Sequence, residues 1–146
     1  MSTQSGNAKA QGKETWGLDF DGTVSFYEKW VPGELGEPIP EMVRKVKEAL
    51  ADGVQIVIFT ARVYPGESYE RALEATQHVI QIAQWCQDVF GEVFPITCQK
   101  FPFFTKIIDD RAVQVLENSG VYLSELIDAV NEQSETGVSL LSDTNQ

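Results

Sequence analysis

The feature that most restricts what this chain can fold into is the way its apolar runs end. Four short runs each stop abruptly on residues able to do chemistry. Residues 15–20 carry Asp19 and lead into Asp21, residues 54–59 lead into Thr60-Ala61-Arg62, residues 93–97 end in Thr97-Cys98-Gln99-Lys100, and residues 106–108 lead into Asp109-Asp110. Strand-like runs alternating with helical stretches predict an open α/β sheet with mostly parallel strands. In such sheets ligands bind outside the carboxyl ends of the strands. Acids, hydroxyls and cations gathered at those ends predict one functional edge.

The stretches between the runs fit this scheme. Residues 41–51 read as a helix, with Met42, Val43, Val46, Ala49 and Leu50 on one face and Asp52-Gly53 as the stop. Residues 54–59 read as a strand buried on both faces. Residues 68–90 read as a long helix whose expected buried stripe is Ala72, Leu73, Thr76, Val79, Ile80, Ala83, Cys86 and Phe90, with His78 beside it and partly exposed. Pro95 makes residues 93–97 an edge strand. Residues 112–116 are short and could form a fifth strand or a helix; the turn Asn118-Ser119-Gly120 favours the strand. Residues 122–131 read as a last helix with Leu123, Leu126, Ile127 and Val130 inward. The expectation is a Rossmann-like, three-layer α/β sandwich of about five strands spanning residues 15–133. A disordered leader at 1–14 and a flexible tail at 134–146 complete it.

Composition narrows the function. With 146 residues the chain suits one domain. Its formal charge of −11 repels a phosphate backbone, so a long nucleic acid is a disfavoured partner. The same charge suits recruitment of divalent cations. No apolar run approaches the roughly 18 residues of a membrane span. The polar first residues do not resemble a signal peptide, so cytoplasmic residence is the default expectation. Cys86 and Cys98 lack metal-ligand spacing and read as free thiols.

Carboxylates converging on one edge repel each other, and a hard divalent cation relieves the repulsion. Magnesium prefers a few carboxylates together with water and substrate phosphate. Asp19 can serve as ligand and as nucleophile. Asp21, two residues on, can protonate a leaving oxygen and later activate water. Gly22 permits a sharp turn that would leave amides facing phosphate oxygens, with Thr23 beside it. Thr60 and Lys100 can hold a phosphoryl group. Arg62 suits either a phosphate contact or a solvated loop. Tyr27, Trp30 and Tyr64 could stack on a ring or cover the core.

The segment Leu-Asp-Phe-Asp-Gly-Thr-Val at 18–24 resembles motif I of the haloacid dehalogenase superfamily. Ile56-Val57-Ile58-Phe59-Thr60 is similar to its motif II, and Ile107-Ile108-Asp109-Asp110 to its motif IV. The three occur in the family's order over residues 15–112. The resemblance implies Asp19 as nucleophile, and Asp21 as acid/base and as a magnesium ligand through its backbone carbonyl. It also implies Thr60 on phosphate, and Asp109 as magnesium ligand supported by Asp110. The motif III lysine is Lys100 or Lys106; Lys100 follows a strand and so lies on the functional edge, whereas Lys106 precedes Asp109 by three residues. Residues 24–40 hold only a loop, and one helix fills most of the chain between motif II and the third strand. Neither leaves room for the family's full cap domain, so the chain resembles its small capless members.

The expected activity is magnesium-dependent hydrolysis of a small phosphorylated metabolite or nucleotide, with a partner subunit able to complete the open site as a homo-oligomer. A 3′-phosphatase on nucleic-acid ends is the alternative, disfavoured by charge. A phospho-aspartate receiver module is another, disfavoured because its acidic pair, single Asp, Thr and Lys come in a different chain order.

Overall fold

A computed structural model of the chain describes residues 13–144, with side chains through residue 136. Most of the expected leader therefore lies outside the described residues. Two compact units are present, Met1–Asp110 and Arg111–Gln146.

The first unit is an α/β sandwich built on a four-stranded, all-parallel sheet. Its elements are β1 (Thr15–Leu18), α1 (Pro40–Ala51), β2 (Gln55–Phe59), α2 (Tyr69–Phe90), β3 (Ile96–Thr97) and β4 (Lys106–Ile108). The strand order is β3-β2-β1-β4, so β1 is paired on both sides. Leu18 is in register with Ile58 of β2 and with Ile108 of β4. β3 lies at the edge, where Pro95 lacks the N–H that an inner strand would need.

Local signals set the helix limits. Pro40 opens α1, where its missing N–H costs nothing. Ser68 caps α2 by accepting the Arg71 amide at 3.1 Å, and Gly91 ends it in the left-handed conformation. Val46 of α1 and Ile82 and Cys86 of α2 join Leu18, Ile56, Ile58 and Phe94 in one apolar core. Both helices therefore cover the same face of the sheet. On the opposite face the Phe104 ring lies over Gly17 and 5.8 Å from the Phe59 ring.

The buried side of α2 differs from the expected stripe. Ala75, His78, Ile82 and Cys86 face the core, while Leu73, Val79 and Ile80 are exposed. His78 is fully buried rather than partly exposed. The helix carries apolar residues on two opposite sides, and periodicity alone could not tell which side meets the sheet.

The second unit also departs from expectation. Residues 112–116 form no strand. Val115 makes one bridge to Tyr122, and the chain reverses between them through Asn118, which has a positive φ of 60°. A helix begins at Leu123, directly after this bridge, so the pairing goes no further and the sheet has four strands rather than about five. α3 (Leu123–Thr144) runs into the stretch expected as a flexible tail. Its Leu126, Ile127 and Val130, expected inward, are exposed.

Gly36 ties the β1–α1 connection to itself. A Cβ at this position would lie 1.8 Å from the Phe26 carbonyl oxygen. The Gly36 carbonyl accepts the Trp85 indole N–H at 2.9 Å, and the Phe26 amide donates to Glu37 at 2.9 Å. Because the obstacle is backbone, Gly36→Ala should destabilise the fold by about 3 kcal/mol or more. Urea unfolding, followed by circular dichroism, measures this; a change within about 0.5 kcal/mol would contradict the packing.

Candidate active site

The loop after β1 is organised by the Phe20 carbonyl. It accepts the amides of Thr23, Val24 and Ser25 and the Ser25 hydroxyl. The Phe20 ring is fully buried, edge-on to Trp85 at 4.8 Å. Anchoring Phe20 in the core leaves Asp19 and Asp21, its neighbours on either side, for other partners.

Asp19 joins Asp109 and Asp110. One carboxylate oxygen from each lies within 4.8 Å of the others. The sheet register causes this meeting. The Asp19 amide donates to the Ile108 carbonyl at 2.9 Å, extending the β1–β4 ladder one residue past Leu18. The Thr23 hydroxyl stands 3.0 Å from Asp19 Oδ2 and 3.0 Å from Asp110 Oδ1, and it accepts the Asp110 amide at 3.0 Å. Thr23 is thus a buried strut between the acids, not an open substrate contact. Gly22 has a similar framing role. Its φ is +81°, and a Cβ there would lie 2.8 Å from Asp110 Oδ2. The amide expected to face phosphate donates instead to the Ser25 carbonyl at 2.8 Å.

Burial pushes the Asp19 carboxyl up to about 7 from an ordinary 3.8. The Thr23 hydroxyl pulls it down, while the Asp110 carboxyl and the Asp109 charge push it further up.

Asp21 lies outside this carboxylate trio. Both its oxygens are held by Arg62, Nε to Oδ2 at 2.6 Å and Nη2 to Oδ1 at 2.7 Å. Its expected metal contact was through the backbone carbonyl, and the side chain is committed elsewhere. Arg62 follows β2 on a short 3₁₀ turn, Ala61–Val63. Thr60 caps that turn by accepting the Arg62 amide at 3.2 Å. The Thr60 hydroxyl, expected on phosphate, is buried and shapes the turn. The Arg62 side chain is only 3% exposed, so it is not a solvated loop residue. Its guanidinium carbon lies 4.7 Å from the centre of the Trp30 ring.

His78 completes the arrangement and had no signal in the sequence beyond being the sole histidine. Its Nδ1 donates to the Arg62 carbonyl at 2.9 Å, the only role a carbonyl permits. Its ring also meets the Trp30 ring edge-to-face, with centres 5.3 Å apart. Arg71 supports the same turn, its Nη2 donating to the Arg62 carbonyl at 3.0 Å.

The two lysines separate clearly. Lys106 pairs with Glu14 at 3.0 Å and lies beside Trp16, at the start of β4 and away from the acids. Lys100 is exposed in the segment following β3. Cys98 there is half-buried, and burial pushes the Cys86 thiol up to about 12, so Cys86 is inert packing.

No family model matches the chain, and no curated protein matches it. A solved structure of a conserved protein coded by a locus from Bacteroides thetaiotaomicron aligns with 84% of this chain and 93% of its own, at 20% identity and a TM-score of 0.44. No described helix is long and apolar enough to cross a membrane.

Because folding raises the Asp19 value, its protonated form contributes stability below about pH 4, and this is lost as pH climbs through about 7. In chelator, Asp19→Asn should therefore melt higher than the parent at about pH 8, by roughly 3–6 °C, with the gap closing toward pH 5. A melting difference independent of pH would contradict the desolvated placement of Asp19.

Proposed function

We propose that the chain is a magnesium-dependent phosphomonoester hydrolase of the cytoplasm that works through an aspartyl-phosphate on Asp19. The observation that carries this reading is the meeting of the Asp19, Asp109 and Asp110 carboxylates beyond the central strand. The order of the three motif-like segments supports it. So does the chemistry of the donors, which are all oxygen, as a hard cation requires. The free thiols fit a reducing compartment.

Asp19, Asp109 and Asp110 would hold the cation, which supplies charge neutralisation between the acids and the phosphoryl oxygens. An Asp19 oxygen attacks phosphorus as the bond to the leaving oxygen breaks. Asp21 gives that oxygen its proton, then takes one from the water that releases phosphate. To carry a proton, Asp21 must open one of its two Arg62 bonds, so substrate binding and loosening of that pair go together. Arg62 is a positioning residue in this scheme, and Thr23 and Gly22 fix the acids rather than the phosphate. Lys100, in the segment after β3, would offset the charge of the transferring group.

A hollow of about 190 Å³ adjoins Arg62, lined by Phe26, Tyr27, Lys29 and Leu35 among others.

Asp19→Asn should lower magnesium-dependent hydrolysis of an aryl phosphate by at least about 10³-fold with the fold retained. Asp21→Asn should lower it about 10²–10⁴-fold. Lys100→Ala should impair turnover and Lys106→Ala should spare it. Hydrolysis that survives both Asp19→Asn and chelation would sink the mechanism, and the reverse lysine pattern would overturn the assignment of Lys100.

A further inference from the structure

The Arg62 guanidinium is committed at two of its three nitrogens. Nε and Nη2 donate to the two Asp21 oxygens, at 2.6 Å and 2.7 Å. Nη1 is buried and has no acceptor among the described residues. The side chain that carries it is 3% exposed. A buried N–H without an acceptor is costly, and folded proteins leave few of them. Trp30 lies against the guanidinium, its ring centre 4.7 Å from the central carbon, but a π face is a far weaker acceptor than an oxygen. Arg62 also lines the hollow of about 190 Å³ in the connection between β1 and α1. It is the one lining residue from outside residues 26–36, and Phe26, Tyr27 and Leu35 give the hollow apolar wall.

We propose that this hollow receives the leaving group of the substrate, and that the leaving group carries a neutral hydrogen-bond acceptor, such as a carbonyl oxygen, which Arg62 Nη1 meets. The inference rests on the phosphomonoester hydrolase reading, which puts the leaving oxygen at Asp21. Arg62 both holds Asp21 and lines the hollow, so it gains a substrate contact besides its positioning role. Charge selects a neutral acceptor over a second phosphate or a carboxylate. The Arg62 charge is already matched by Asp21. The other ionic residues lining the hollow are Glu28, Lys29 and Glu34, two acids against one base. An anionic substituent would add to that excess of negative charge. An apolar substituent of the same size would leave Nη1 without an acceptor, and such a site discriminates strongly against it. A neutral oxygen satisfies Nη1 and leaves the Arg62–Asp21 pair balanced.

Three phenols of nearly the same shape test this on the full chain, and none of them has to be turned over. One is para-hydroxyacetophenone, which carries a neutral carbonyl. The second, para-isopropylphenol, has a methyl in place of the carbonyl oxygen, and the third, para-hydroxybenzoate, has a carboxylate. Affinity and place of binding are read from amide NMR shifts during titration. The carbonyl compound should bind at least about tenfold tighter than either of the others, with shifts concentrated at residues 26–36 and Arg62. Arg62→Lys keeps a cation beside Asp21 but lacks the fork, and it should abolish the preference. The comparison of the three phenols on the parent chain does not depend on that variant folding. Equal affinity for the carbonyl and isopropyl compounds, tightest binding of the carboxylate, shifts elsewhere on the chain, or no binding at millimolar concentration overturns the proposal. Assays of the three corresponding phosphates separate this result from the reading beneath it. Turnover of the phosphates by a chain that binds no phenol selectively strikes the hollow alone. Selective binding of the carbonyl phenol without turnover of any phosphate strikes the hydrolase reading, and with it the leaving-group role.

Discussion

Everything at the proposed active edge depends on the double pairing of β1. The strand has only four residues, yet it is hydrogen-bonded to β2 on one side and β4 on the other. Leu18 is level with Ile58 and Ile108, so the residues that follow, Asp19 and Asp109, emerge side by side at the spacing of neighbouring parallel strands, about 4.8 Å. A slip of one residue in either ladder would turn Leu18 out of the core and send its acid to the other face. The apolar core therefore fixes the carboxylates indirectly. Burial of Leu18, Ile58 and Phe20 holds the register, and the register holds the acids.

The two aspartates of the β1 loop are alike in chemistry and unlike in surroundings. Asp19 is desolvated among other acids, and its carboxyl is raised to about 7. Asp21 is held by a guanidinium through both oxygens. Dividing a carboxylate pair in this way is how one site can host two distinct roles, which is what the proposed reaction asks of it. The division is maintained from several directions. Thr60 aims the turn that bears Arg62, Trp30 covers its guanidinium, and His78 and Arg71 bind its carbonyl. A buried cation is costly unless paired, so Arg62 and Asp21 hold each other in place. Arg62 Nη1 has no hydrogen-bond partner among the described residues and depends on this packing alone.

Much of this layout was legible in the residues. The strand ends identified the edge, Pro95 identified the edge strand, and Ser68 and Gly91 marked the ends of α2. The position of Lys106 three residues before Asp109 correctly placed it toward the far end of β4. What could not be read is what side chains do once the backbone is set. Gly22 and Thr23 are chosen for close approach to Asp110, and spacing carries no trace of a contact between residues 87 positions apart. Arg62 looked like a loop residue because its partner, Asp21, lies 41 residues away in sequence, after the neighbouring strand β1. The fifth strand failed because apolar residues at 112–116 say nothing of where the next helix begins, and it begins at Leu123, directly after the bridge.

The misread face of α2 has the same origin. A helix that meets the core with His78 among its buried residues looks polar on that side, since the histidine is there to donate to the Arg62 carbonyl. Its outer side, with Leu73 and Ile80, looks like the core. Hydrophobic periodicity selects the more apolar face, and that selection fails whenever a structural polar contact is buried and an apolar surface is left outside. Both conditions hold in α2. The inner face supports the turn that grips Asp21. The outer face mixes Leu73 and Ile80 with Glu70, Gln77 and Gln84, so it is apolar enough to mislead periodicity and polar enough to meet water.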